Sequence, residues 1–65
     1  MIVVYKYKVG DKIITNDGHK GVITDLSTSI IDGKTIASYW VVYDKAMHPD
    51  GYARNTWQLS IKKKI

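Results

Sequence analysis

Residues 9–26 constrain the fold of this chain more than any other stretch. They read VGDKIITNDGHKGVITDL, in which two runs rich in β-branched residues flank an Asn-Asp-Gly turn at residues 16–18. Asn, Asp and Gly tolerate the left-handed backbone that a tight reversal requires. The stretch therefore predicts a strand at residues 12–15, a turn, and a second strand at residues 22–26. Gly21 predicts either a bulge or a close backbone approach beside the second strand.

Alternation of side chains predicts two further strands. Residues 2–9 alternate through eight positions, and residues 38–44 form the strongest strand pattern in the chain. In the second of these, Tyr39, Val41 and Tyr43 share one side, which we expect to face the core. The opposite side of the same strand is also apolar, so we expect a loop or a partner to cover it.

Turn residues define the remaining connections. Asp-Gly at residues 32–33 favours a type I′ turn, which predicts a hairpin there. A short strand is predicted at residues 52–54, followed by one 3-10 turn between Asn55 and Leu59. Asn55 is the expected cap of that turn. Residues 60–65 then complete the sheet, with the lysines pointing outward.

Composition limits what else the chain can be. It has 65 residues, no cysteine and no glutamate, which predicts one all-β domain over residues 1–65 without a disulfide framework. No apolar run approaches the roughly 20 residues that a membrane-spanning helix needs. Residues 1–9 lack the pattern of a signal peptide. We therefore expect a cytoplasmic protein with no membrane association.

The order of the predicted elements resembles that of an SH3-like barrel. Val9-Gly10-Asp11-Lys12-Ile13, followed by Gly18-His19-Lys20-Gly21-Val22-Ile23, is similar to the opening of KOW-type and related SH3-like domains of translation, transcription and bacteriophage proteins. Trp40-Val41-Val42-Tyr43-Asp44 and Trp57-Gln58-Leu59 resemble the third strand and the final turn of the same architecture. The resemblance covers roughly residues 8–63. It implies a small SH3-like barrel of about five to six short antiparallel strands that binds RNA, DNA or protein.

Catalysis is not expected. Among SH3-like proteins, type II dihydrofolate reductase is an enzyme, but its Val-Gln-Ile-Tyr motif has no counterpart at residues 51–55 of this chain. His19 and His48 are the only histidines, and they show no metal-ligand spacing with the aspartates. No serine lies in a nucleophile motif. We predict no enzymatic activity, no metal and no cofactor.

Aromatic and basic residues predict a binding surface instead. The chain has five tyrosines, two tryptophans, no phenylalanine and a net charge of +4. Tyrosine and tryptophan suit interfaces, and a basic surface attracts polyanions. The candidate binding residues are Trp40, Tyr52, Lys12, Lys20, Lys45, Arg54 and Trp57.

Two functions remain open from the sequence. The first is a module that binds nucleic acid or a nucleic-acid-processing machine through the candidate residues. The alternative is a protein-interaction module that docks by the apolar outer side of residues 38–44. Such a module would be a small phage-type effector of a host protein, or a homo-oligomer. Two simpler interpretations compete with both: the lysines keep a small domain soluble, and the aromatic residues fill its core.

Overall fold

The computed structural model describes residues 3–45 and 49–65, which form five strands and one 3-10 turn. The elements are β1 (Lys12–Thr15), β2 (Lys20–Ile31), β3 (Lys34–Tyr43), β4 (Arg54–Trp57), the 3-10 turn (Gln58–Ser60) and β5 (Ile61–Lys64). Every strand pair is antiparallel, and the order in the sheet is β4-β3-β2-β1-β5. The prediction of an all-β domain of antiparallel strands with one 3-10 turn is confirmed.

The sheet is strongly curled, because β4 and β5 lie at its opposite edges although they follow one another in the chain. Their connection is the three-residue 3-10 turn, which spans roughly 8–10 Å. In a flat sheet, four strand spacings of about 4.8 Å would separate the two edges. Within the described residues, no ladder joins β4 to β5. The sheet is therefore compact and compatible with a small barrel, but hydrogen bonds do not close it.

The core lies on the inner face of this curled sheet. Its buried members come from β1, β2, β3 and β5: Ile13, Ile23, Tyr39, Val41, Tyr43 and Ile61. The prediction that Tyr39, Val41 and Tyr43 face the core is confirmed. A register shift between Ile23 and Asp25 inserts one extra residue into β2, and such a bulge bends the strand and increases its twist.

The predicted hairpin at residues 32–33 is confirmed and is longer than expected. Asp32 and Gly33 both have positive φ, at 50° and 75°, as the two central residues of a type I′ turn require. The ladder runs from Gly21 opposite Tyr43 to Ile31 opposite Lys34. The turn-rich residues 27–37 are thus the distal half of the two longest strands.

Residues 3–9 do not form the strand that alternation predicts for residues 2–9. Alternation itself is present, since Tyr5 and Tyr7 are half-buried while Lys6 and Lys8 are exposed. Both tyrosine rings pack edge-on against Tyr39, each with centroids 5.8 Å apart. Alternation indicates which side of an extended segment is covered. Here the core covers that side, although the segment pairs with no strand. Ile2 lies outside the described residues.

The start of the last third of the chain also differs from the prediction. β4 begins at Arg54, whereas the sequence placed a strand at residues 52–54. Asn55 is therefore a strand residue and does not cap the 3-10 turn. The turn begins after Trp57, with no side-chain cap. The strand-forming residues Thr56 and Trp57 extend β4 past the position where the asparagine signal would end it.

Gly21 is placed where β2 and β3 approach too closely for a side chain. A Cβ atom at this position would lie 2.6 Å from Val41 Cγ1 and 2.9 Å from the Val42 carbonyl oxygen. The second contact involves backbone that belongs to the central ladder and cannot move alone. The close approach predicted for Gly21 is therefore confirmed.

We predict that Gly21→Ala destabilises the fold by about 1–3 kcal/mol, because the added methyl group overpacks the β2–β3 contact. Urea denaturation followed by tryptophan fluorescence measures the change. Thr28→Ala is the control, since Thr28 lies on the same strand away from the core cluster and surface substitutions usually change stability by within about 0.5 kcal/mol. Equal stability of Gly21→Ala and the native chain would contradict the steric argument.

The Asp11 carboxylate links the first turn to the last strand. Its Oδ2 accepts a hydrogen bond from the Lys8 backbone N–H at 3.1 Å, and its Oδ1 lies 3.5 Å from Lys64 Nζ. The bond from the Lys8 amide, aided by the Lys64 ammonium, lowers the pKa of Asp11 below its usual 3.8 even though burial opposes the shift. The charged carboxylate is therefore the form that the fold favours.

We predict that Asp11→Asn reduces the dependence of stability on acid pH. A carboxyl whose folded pKa is depressed contributes stability above its unfolded pKa of 3.8. That contribution is lost as the pH falls through the lower folded pKa. Urea titrations between about pH 6 and pH 2 measure it. Lys64→Ala should keep much of the dependence, because the stronger cause, the Lys8 amide, remains. Identical pH profiles for Asp11→Asn and the native chain would refute the assignment.

Candidate functional site

Both tryptophans lie on the outer face of the sheet. Trp40 is directly opposite Asn55, and Trp57 is directly opposite Ser38. Opposed residues of an antiparallel pair share a face, so the two tryptophans are diagonal neighbours on adjacent strands, with Cα atoms about 7–8 Å apart. The two residues are 40% and 44% exposed. Each indole therefore presents accessible ring surface on the same side of the sheet.

Two further rows extend this side of the sheet across the other strands. One row crosses β3, β2 and β1 and consists of Val42, Val22 and Lys12. The next row crosses β2, β1 and β5 and consists of Lys20, Ile14 and Lys63. We call the aromatic, apolar and basic residues of this side the outer face: Trp40, Trp57, Val42, Val22, Lys12, Ile14, Lys20 and Lys63. Its apolar half contains the two tryptophans and the two valines, and its basic half contains the three lysines with Ile14 between two of them. Asp25, opposite Trp40, lies on the same side of the sheet.

Hydrogen bonds fix the backbone and side chains beside the indoles. Ser29 Oγ donates to Asn55 Oδ1 at 3.1 Å, and Asn55 Nδ2 donates to Ser38 Oγ at 3.4 Å. At the bulge, Thr24 Oγ1 donates to the Trp40 carbonyl oxygen at 3.1 Å. β2, β3 and β4 are thus connected by side chains as well as by their ladders. The strands that carry the indoles therefore form a preorganised platform.

The basic half surrounds a shallow cavity of about 180 Å³. Its walls are Lys12, Lys20, Gly21, Val22, Asp44 and Ile65. Between residues that the structure describes, the ion pairs are Arg54–Asp50 and Lys64–Asp11, so the Lys12 and Lys20 ammoniums take part in neither. Asp44 lines the same cavity, and Asp25 stands opposite Trp40. The side chains that line the cavity are therefore mixed in charge, with two lysines and one aspartate.

The structure divides the predicted binding residues into two groups. Trp40, Trp57, Lys12 and Lys20 share the outer face, where the tryptophans and the lysines stand in separate rows. The other three lie between β3 and β4 or at the first residue of β4: Lys45, Tyr52 and Arg54.

Asp50 organises part of this second group. Arg54 Nη2 lies 2.9 Å from Asp50 Oδ2, and the Tyr52 N–H donates to Asp50 Oδ1 at 3.0 Å. Arg54 stands opposite Val41, whose side chain is in the core, so it does not share the face of Trp40. Tyr52 is 74% exposed. The register thus gives no support for placing Arg54 in one patch with the tryptophans.

The sequence places Val42 on the same side as Trp40 because the two alternate along β3, and the register agrees. Sequence reasoning did not identify Val22, Ile14 and Lys63 as members of the outer face. Val22 joins it only because the bulge at Thr24 shifts the register of β2. Lys63 belongs to a lysine run that reads as a solvated tail, and its pairing with Ile14 depends on a second irregularity, between Ile14 and Thr15.

A second cavity, of about 220 Å³, lies where the ladder stays open. Residues of the first hairpin and β3 meet β4 and the 3-10 turn there: Thr15, Asp17, His19, Tyr43, Asn55, Thr56, Trp57 and Ser60. Asn16 holds the two sides together, because its N–H donates to the Ser60 carbonyl and its Nδ2 to the Leu59 carbonyl. Over residues 3–45 and 49–65, no three His, Asp, Glu or Cys side chains group as metal ligands. His48 is outside this range.

No family model, curated protein or solved structure matches this chain. Among the described residues, no helix has the length and apolar character needed to span a membrane.

Proposed function

We propose that this chain is a non-enzymatic module that binds single-stranded nucleic acid through the outer face. The observation that carries the proposal is the register, which sets Trp40 and Trp57 on the same face as Lys12, Lys20 and Lys63. Stacking of a base on an aromatic ring contributes about 1–3 kcal/mol and tolerates any base. Lysines add attraction to phosphates. This combination requires no bidentate arginine, which fits a chain with one arginine.

The spacing of the indoles favours a single strand over a duplex. The Cα atoms of diagonal neighbours lie about 7–8 Å apart, roughly twice the 3.4 Å rise between successive bases of a stacked strand. Two indoles attached to the backbone at this spacing suit two bases that are splayed apart. A single strand can present unstacked bases in this way, whereas a duplex keeps them paired inside. The basic half of the face then contacts the backbone that continues from the splayed bases.

We also propose that the fold belongs to the SH3-like class, with KOW-type or phage-type modules as the nearest kinds. The strand order and the 3-10 turn before the last strand support this. The Gly-Asp motif on which the resemblance is based forms two backbone hydrogen bonds. The Gly10 N–H donates to the Ile23 carbonyl at 2.8 Å, and the Ile23 N–H donates to the Asp11 carbonyl at 3.0 Å. These bonds join the first turn to β2.

Protein docking is the second candidate function. Val22 is 37% exposed and Ile65 is 51% exposed, so apolar surface continues beyond the indoles toward β5. A host protein, a nucleic-acid-associated protein or a second copy of the chain could cover such a surface. Association of that kind is driven by apolar burial, so its affinity should change little with salt concentration. The affinity for nucleic acid should fall steeply as the salt concentration rises.

We predict that Trp40→Ala and Trp57→Ala each weaken binding of a single-stranded oligonucleotide by roughly 5- to 150-fold, the equivalent of about 1–3 kcal/mol per stacked base. Lys20→Ala should reduce the slope of log affinity against log salt by about 0.7, the value for one phosphate contact with a single strand. Fluorescence anisotropy with labelled DNA and RNA 12-mers, across a salt series, measures both effects.

Lys34→Ala is the matched control, because it removes the same charge at the far tip of the β2–β3 hairpin. It should leave the salt slope nearly unchanged. Asp44→Asn should strengthen binding at low salt, since it removes an acid from the cavity between Lys12 and Lys20. Unchanged affinity in both tryptophan variants, or equal effects of Lys20→Ala and Lys34→Ala, would refute the interface. Salt-insensitive capture of a protein after nuclease treatment would favour the docking alternative.

A further inference from the structure

Residues 3–7, here called the strap, are attached to the rest of the protein through side chains. Gln58 makes two of the bonds: its Nε2 donates to the Val4 carbonyl at 3.3 Å, and its Oε1 accepts from the Lys6 N–H at 3.0 Å. Among the described residues, every hydrogen bond from the strap to another part of the chain involves a side chain. The strap is thus hydrogen-bonded to the rest of the protein, yet it belongs to no ladder.

The Gln58 side chain takes the place of a neighbouring strand. In a parallel β-ladder, the C=O of one residue and the N–H of the residue two positions later are bonded by one residue of the adjacent strand. Val4 and Lys6 have this spacing, and the glutamine amide supplies the same donor and acceptor as a peptide group. The Gln58 amide therefore recognises extended backbone and makes no contact that depends on the side chains of Val4 and Lys6.

Two tyrosine positions complete the fit. The Tyr7 N–H donates to the Tyr39 hydroxyl at 3.3 Å, and the Tyr39 hydroxyl donates to Gln58 Oε1. The Tyr5 hydroxyl donates to the Ser27 carbonyl at 2.7 Å. Both strap rings meet the Tyr39 ring edge-on, a geometry that favours close packing of aromatic rings. Burial raises the pKa of Tyr39, so its hydroxyl keeps its proton at neutral pH.

We infer that Tyr39, Gln58 and Ser27 form a binding groove for an extended polypeptide segment with tyrosine at alternate positions. The strap is its occupant in cis. The groups that line the groove stand on β2, β3 and the 3-10 turn, and the ladders of those strands do not include the strap. The strap can therefore leave without breaking a ladder, and a Tyr-x-Tyr segment of another polypeptide can form the same bonds in trans.

A strap tethered beside the groove competes at an effective concentration on the order of millimolar. A peptide in trans will therefore bind measurably only when the strap is weakened. Tyr5→Ser with Tyr7→Ser in the full chain does this, because it removes both strap rings and leaves Tyr39, Gln58 and Ser27 in place. This groove is separate from the outer face, since Tyr39 points into the core while Trp40 points outward.

The test is a titration of the ¹⁵N-labelled full chain with the synthetic peptide VVYKYKV, the sequence of residues 3–9. The strap-weakened variant should bind it saturably, with chemical-shift changes at the Gln58 side-chain amide and at Ser27 and Thr28. The native chain should bind at least about tenfold more weakly, because its own strap is in place. The control peptide VVSKSKV should not bind.

Two more variants test whether the groove itself holds the peptide. Gln58→Ala, added to the strap-weakened chain, should abolish peptide binding, whereas Trp40→Ala should leave it intact. If the double strap substitution does not fold, Tyr7→Ser alone serves in the same titration. Concentration-dependent dimers of the native chain that VVYKYKV dissociates would support the groove, with a second copy as the source of the segment. Equal binding of both peptides, or no change at Gln58, would overturn it.

Discussion

The β2–β3 ladder is the constraint on which the rest of the structure depends. It runs from Gly21 opposite Tyr43 to Ile31 opposite Lys34, and every other strand attaches to it directly or through one neighbour. Because side chains alternate, a slip of one residue would move every side chain of a strand to the opposite face. The positive φ values at residues 32–33 and the close contact at Gly21 oppose such a slip. One register thus determines both the core and the outer face.

Much of the fold is predictable from the sequence because its signals are local. The turn at residues 32–33 and the inward set of Tyr39 and Val41 depend on the conformational preferences and alternation of neighbouring residues. The bulge at Thr24 and the ladder-free strap depend on pairing between distant segments, which leaves no local signature. The strap shows the difference clearly, since the same alternation would describe a paired strand.

The candidate site was predictable in part for the same reason. Trp40 is directed outward by the alternation of β3, so the sequence alone identifies it. Trp57 joins it only because β4 starts at Arg54 and pairs Trp57 with Ser38. The long-range register also directs Arg54 to the other side, where it meets Asp50. The sequence-based prediction places Arg54 with the tryptophans because it selects residues that are aromatic or basic.

The outer face and the strap groove use consecutive residues, since Trp57 belongs to the first and Gln58 to the second. Trp57 ends β4 with its indole outward, and Gln58 begins the 3-10 turn with its amide on the strap. The Gln58 side chain therefore ties the turn directly after Trp57 to the strap, through Val4 and Lys6, and to β3, through Tyr39. The turn also carries the chain from one edge of the sheet to the other, and the curl of the sheet depends on this short connection. The Gln58 side chain therefore holds that connection in place. Curling the sheet and presenting the second indole are thus achieved by the same short segment.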